Sequence, residues 1–254
     1  MEVYLQWKQM MSSGIDLPFW QEFYVKFYQA FIDSNRWFQY IKGVGSTLMV
    51  TALALLIGVI LGVVVAMVRT AHDQQRPGNK NPILGFFNSI CQVYVTVIRG
   101  TPMLVQLLIM GFVIFSSSRN YTAVGILTLG INSGAYVAEI IRGGLMSVDK
   151  GQMEAGRSLG LNYTQAIRFI IIPQAVKAIL PALGNEFIVL LKDPSLITVI
   201  GGKELLYAAQ GIYNRTYEQM FPLLGIACIY LLLVCVLSWL LDKLERRLRQ
   251  GDRR

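Results

Sequence analysis

Four places in this 254-residue chain set ionisable side chains inside otherwise apolar sequence. Charge there is costly and needs a reason. Asn185 and Glu186 follow Gly184 and lie just beyond Pro181. Proline removes one rung of the helical hydrogen-bond ladder, and a bent helix carrying polar groups is how transporters build substrate sites near mid-membrane. Glu186 could pair with a substrate ammonium, or it could hydrogen-bond a neighbouring helix. Lys192 and Asp193, followed by Ser195, form either a self-neutralising pair or a gate or substrate contact. Arg99 opens the run Arg99-Gly100-Thr101-Pro102, which reads as a helix break and also offers a cation for a carboxylate. Glu139 lies three residues before Arg142, the spacing of a local pair on one helix face. Both signs of charge are available, so the charge preference of a ligand stays open.

Enzymatic chemistry has no comparable support. His72 is the single histidine, no GxSxG string occurs, and no nucleophile and base are paired. The nearest approach to a phosphate-binding loop, GGKE at 201–204, lacks the glycine spacing of GxxxxGK[ST]. Cys91, Cys228 and Cys235 all fall in apolar segments without a CxxC, so they read as small buried hydrophobes and no metal site is expected.

The elements that hold these residues are set by hydropathy. The chain is 54% hydrophobic and only 15% charged, against roughly 25% charged in a soluble domain. A polytopic all-α membrane protein is expected. The net charge of +8 gathers at the ends of apolar segments, which argues for membrane topology and against nucleic acid. Residues 44–68 form a first span without charge. Residues 83–115 are too long for one ordinary span and are broken at Arg99–Pro102. Residues 121–144 are rich in small residues and should sit inside the bundle or at a dimer contact. Further spans run over about 174–200 and 221–241. No charged region followed by an apolar core opens the chain, so the first span is expected to act as the insertion signal.

Three parts follow: an aromatic extension (1–43), a transmembrane domain (44–245) with a loop at 145–173, and a basic tail (246–254). In the extension, Phe19, Phe23, Phe27, Phe31 and Ile32 recur at helical spacing, as in an amphipathic helix on the membrane surface; a partly disordered arm is the alternative. Counting Lys and Arg does not separate two topologies. Five spans give 13 inside and 7 outside, and six give 15 and 6. Both place 145–173 and the C-terminus in the cytoplasm.

That cytoplasmic loop contains a helix that has no use inside a bilayer. Asp149 is a good N-cap, with Gln152 three positions on as a capping-box partner. Residues 150–159 are helix-forming, and Gly160 stands where a left-handed C-cap belongs. A helix of about ten residues is unstable alone. Either Met153, Gly156 and Gly160 or Ala155 and Leu159 could present a small apolar face to a partner.

The string EAGRSLGLNYTQAIRFIIIPQAVKAILP resembles the EAA signature of ATP-binding-cassette importer permeases. Glu154, Ala155, Gly160, Ile171 and Pro173 match. Gly156 replaces the second alanine, and Ile172 replaces the leucine before the proline. The runs VIRGTPMLVQLL (97–108), NSGAYVAEIIRGG (132–144), SVDKGQMEAGRSLGL (147–161) and PALGNEFIVLLKDPSL (181–196) are similar to the polar amino acid uptake branch, which serves histidine, glutamate, glutamine, arginine and opines. Together the resemblance covers about residues 43–245 and leaves the first 42 outside. Pro194 departs from that branch's Lys-Asp-Thr/Ser-Ser-Leu.

The resemblance implies five spans with the N-terminus outside, in a bacterial inner membrane. It implies that Asp149, Met153, Glu154, Ala155, Gly156, Leu159 and Gly160 belong to a helix docking in a cleft of an ATPase. Two ATPase subunits, a second permease subunit and an extracytoplasmic amino-acid-binding protein are the implied partners. ATP and magnesium would be held by the ATPase, with no cofactor in this chain. The rival readings are a lone channel or ion-coupled carrier, which gives no reason for the capped helix, and a non-transporting scaffold or sensor, in which Glu186 and Lys192 could be neutralised without a transport defect.

Overall fold

The computed structural model describes residues 2–75 and 81–250, the last two without side-chain detail. The last four residues of the basic tail expected at 246–254 lie outside the described residues. Among the described residues the fold is helical without strands. Helices α1 (Glu2–Ser12) and α2 (Phe19–Phe31) form a hairpin, and α3 (Arg36–Asp73) follows. At 38 residues, α3 is about 57 Å long, longer than a bilayer core of about 30 Å. The span expected at 44–68 is therefore the middle of a helix that extends beyond the membrane at both ends.

Two segments replace the long apolar run 83–115. Helix α4 (Pro82–Gly100) stops at extended Thr101 and Pro102, and α5 (Met103–Ile109) continues through a π-helical turn, Met110–Ile114. Met103–Ile114 spans about 18 Å, too short to cross alone. Among the described residues, five helical stretches are long and apolar enough to cross a membrane. Gln106 stabilises the break: its Nε2 donates to the Ile98 carbonyl at 2.8 Å and to Thr101 Oγ1 at 2.8 Å.

Helix α6 (Tyr121–Met146) is the buried centre, as its small residues require. It packs along α3 by close backbone approach. A Cβ on Gly62 would lie 2.5 Å from Val137 Cγ1, and one on Gly130 would lie 2.7 Å from Ile57 Cβ. Helix α7 (Lys150–Ser158) and the single turn α8 (Tyr163–Ala166) lead through a π-helical turn, Ile167–Ile171, into α9 (Ile172–Leu190). Pro181 sits within α9. Pro194 begins a new turn, α10 (Pro194–Ile197), after a break at Leu191–Asp193. The predicted 174–200 span is thus interrupted.

Helix α11 (Leu205–Thr216) lies against the first half of α3, and α12 (Met220–Gln250) closes the bundle. Cys228 and Cys235 are exposed on α12, which corrects the expectation that all three cysteines are buried in protein. On a peripheral span, lipid takes the place of a protein neighbour. Because α7 lies beside the last turn of α3 and α11 beside its beginning, the two mark opposite ends of the bundle.

Candidate functional site

Asp149 caps α7, but its Oδ1 accepts from Gly151 N at 2.7 Å. Gln152 does not close the expected capping box; its Oε1 accepts from Gln174 Nε2 at 3.1 Å and ties α7 to α9. The reciprocal box occurs one element later. Asn162 Oδ1 accepts from Gln165 N, and Gln165 Oε1 accepts from Asn162 N, both at 2.9 Å. At the other end Gly160 takes φ +84°, the left-handed C-cap that its residue type permits.

These caps decide which face of α7 is free. Gly156 is buried, and a Cβ there would meet Ile170 Cδ1 at 2.7 Å. Met153 is half-buried on the same side. Glu154, Ala155 and Gly160 are exposed, and Leu159 is 82% exposed. Of the two apolar faces open to the sequence, Met153 and Gly156 turn into the protein, and Ala155 and Leu159 turn out. A cavity of about 590 Å³ separates α7 from the ends of α3 and α6, lined among others by Asp73, Arg142, Lys150, Glu154 and Arg157.

Three of the charged residues of the spans, Glu186, Arg99 and Glu139, meet at α6. Ser133 Oγ donates to Glu186 Oε1 at 3.1 Å, joining α6 to α9 near the middle of α6. Glu186 is half-buried and Asn185 exposed. One turn along, the Arg99 guanidinium lies 5.1 Å from the Tyr136 ring centroid, a cation–π contact from α4. Asn132 Nδ2 donates to Gln106 Oε1 at 3.0 Å, linking α6 to the α4–α5 break. Glu139 pairs with Arg142 at 3.2 Å, as expected, and also with Arg69 of α3. Arg142 reaches Asp73 at 3.9 Å, so four charges connect the α7-side ends of α3 and α6. Lys192 is exposed and Asp193 half-buried; Ser195 Oγ donates to the Lys192 carbonyl at 2.7 Å. The predicted residues therefore fall into three groups: Glu186 and Arg99 at contacts one turn apart on α6, Glu139 near α7, and Lys192, Asp193 and Ser195 at the α9–α10 break.

One buried acid escaped the sequence reading. Glu204 is 2% exposed and accepts from Thr198 Oγ1 at 2.6 Å, Tyr207 N at 2.9 Å, Tyr230 OH at 2.8 Å and Thr47 Oγ1 at 3.4 Å. It caps α11 and joins α3, α12 and the turn after α10. Its one local signal was an acid just before the apolar run of α11, hidden by the glycine-rich string around it.

The family model described as "Binding-protein-dependent transport system inner membrane component" matches residues 82–250, more than half of the chain. The glutamine transport system permease protein GlnP of Escherichia coli (strain K12) is 37% identical over 214 residues, covering 82% of this chain and 92% of that protein. A putative glutamine transport system permease protein GlnP of Rickettsia typhi is 35% identical over 211 residues, with the same coverage. Among solved structures, an amino acid ABC transporter with histidines matches with TM-score 0.74 and 43% identity over 82% of this chain and 94% of that one. The inward-facing MetNI methionine ABC transporter, at 18% identity and TM-score 0.71, covers 85% of this chain and 99% of its own, and shares the fold. A helical bundle with five stretches able to cross a membrane, a capped helix set beside it and these likenesses agree: the chain belongs to the inner-membrane components of binding-protein-dependent transport systems, in the amino acid ABC permease branch.

Proposed function

We propose that this chain is the permease half of an importer for a polar amino acid of the glutamine type. The observation that carries the reading is α7: nine residues, capped at both ends, directly following α6, with Ala155 and Leu159 facing away from the bundle. An exposed apolar pair on a short, pre-ordered helix is suited to docking in a groove of a soluble partner. That partner is an ATPase holding ATP and magnesium. Two permease chains, two ATPase subunits and an extracytoplasmic binding protein make up the complex. One chain provides one α7 and five spans, which is half of a two-fold pathway. Closure of the ATPase pair on ATP draws the two α7 helices together, and α6 carries that movement to Ser133 and Glu186. The bundle then alternates between inward-open and outward-open states, because only a differential affinity for the two states shifts their balance. In the pathway, Glu186 and Asn185 provide partners for the substrate ammonium, and Arg99 or Lys192 for its carboxylate.

ATP hydrolysis by a complex of the chain with an ABC ATPase subunit from the same organism, assembled in lipid, tests this reading. Glutamine-loaded binding protein should stimulate hydrolysis, and other polar amino acids should rank below it. Failure to associate with any ATPase would defeat the proposal. Stimulation by a different amino acid would keep the importer and change its substrate.

A further inference from the structure

The α1–α2 hairpin lies outside the matched family region and at the end of the bundle opposite α7. Its placement is tightly determined. Ser34 and Asn35 both adopt left-handed backbone angles (φ 56° and 55°), which breaks a helical stretch from Phe19 to Asp73 into two. Successive left-handed non-glycine residues cost about 1 kcal/mol or more each, so other contacts must offset the turn. Those contacts are present. Asp33 at the bend accepts from Tyr4 OH at 3.0 Å and Lys8 Nζ at 3.2 Å, which folds α1 back on α2. Burial pushes the Tyr4 hydroxyl pKa up, so it remains a donor. Phe23 and Phe27 stack edge-on against Phe221 at the start of α12, at 5.0 and 6.1 Å, and Lys26 bridges Glu22 and Glu218.

Much aromatic surface remains uncovered after this docking. Trp20 is 76% exposed and Phe19 69%, with Tyr24 also outward. Across the bend, Trp37, Phe38 and Ile41 continue the apolar surface onto α3, where Met49, Leu53 and Leu56 carry it into the span. Exposed apolar side chains thus recur from Phe19 and Trp20 through Phe23, Phe27 and Ile32 to the outward residues of a membrane helix. Aromatic residues at such a level are those that settle at the boundary of headgroups and acyl chains. The nearby cations are already engaged: Lys8 by Asp33, Lys26 by its two glutamates, Arg36 by the Gln29 carbonyl and Lys42 by the Phe38 ring.

We propose that the hairpin is a membrane collar: α2 lies in the interface of the leaflet opposite α7, with Phe19 and Trp20 in the lipid, and anchors the start of α12 there. The occupant of this face is lipid, held by aromatic insertion and not by anionic headgroups.

A full-length chain keeping Trp20 alone, with Trp7, Trp37 and Trp239 replaced by Phe, tests this in phosphatidylcholine vesicles. Lipids brominated shallow or deep in the acyl chain read the depth. An interfacial helix is buried about 5–10 Å, so shallow bromine should quench Trp20 at least about twofold more than deep bromine. Exchanging half the lipid for phosphatidylglycerol should leave that ratio unchanged. A chain with all four native tryptophans replaced and Leu231→Trp, midway along the 221–241 span of α12 and outward-facing, should favour the deep probe. Trp20 insensitive to both lipids but quenched by aqueous iodide would overturn the proposal, as would protection only when the binding protein is added. If the tryptophan-reduced chain does not fold, Phe19→Cys carrying a polarity-sensitive fluorophore, in a chain that keeps its tryptophans and has Cys91, Cys228 and Cys235 replaced by Ala, gives the same reading. A blue-shifted emission in vesicles supports the collar, and a water-like emission overturns it.

Discussion

The two ends of the bundle are fastened by different chemistry. Beside α7, four partly exposed charges, Arg69, Glu139, Arg142 and Asp73, connect α3 and α6 across the edge of a cavity. Around α11, a single carboxylate, Glu204, is almost fully buried and bonded only to neutral donors. A partly exposed ion pair is worth about 1 kcal/mol or less and exchanges readily with water. Buried hydrogen bonds are costly to leave unmade. Under the proposed coupling, the end that receives force is the one built to rearrange, and the opposite end is the one built to hold its helices together.

Breaking the tight end should have the largest effect. Glu204→Leu leaves the Thr47, Thr198 and Tyr230 hydroxyls and the Tyr207 N–H buried without their acceptor. A loss of about 3 kcal/mol or more is expected, read as a large drop in thermal stability in lipid discs. An unchanged midpoint would mean that the end around α11 is not held as described. Gly156→Val comes next. The added methyls collide with Ile170 and push α7 from its seat, so ATPase stimulation should fall by about tenfold, with stability lowered by about 2 kcal/mol, the size of an overpacking strain. Normal stimulation would show that the seating of α7 is unimportant. Arg69→Met should be the mildest. Glu139 keeps Arg142, so stability should drop by about 1 kcal/mol, while transport per ATP hydrolysed should decline as α3 and α6 slip. High salt should mimic this change and leave the Glu204 end untouched, since screening weakens exposed pairs. A salt-independent ratio of transport to hydrolysis would remove the ionic connection from the mechanism.

The same contrast explains what the sequence could and could not disclose. Local features were readable: the Asp149 cap, the left-handed Gly160, the small residues of α6 and the break at Thr101-Pro102 each follow from residue type within one turn. The Glu139–Arg142 pair was readable for the same reason, at a separation of three. Its second partner, Arg69, lies 70 positions away and leaves no periodic trace. Glu204 depends on Thr47, 157 positions earlier, and Tyr230, 26 later. Gln152 met every local requirement for a capping box and was drawn instead to Gln174, a tertiary partner. The exposed Cys228 and Cys235 show a related limit. Hydropathy marks a segment as apolar without saying whether its side chains meet protein or lipid.

The most direct measurement is ATPase stimulation by substrate-loaded binding protein in a reconstituted complex carrying Leu159→Glu. Leu159 is 82% exposed, so the substitution should leave the thermal stability of the chain unchanged. If α7 is the surface that the ATPase grips, stimulation should fall by at least about tenfold, the effect of losing roughly 1.4 kcal/mol at a docking contact. Full stimulation at unchanged stability would contradict that role and leave α7 without the partner proposed for it.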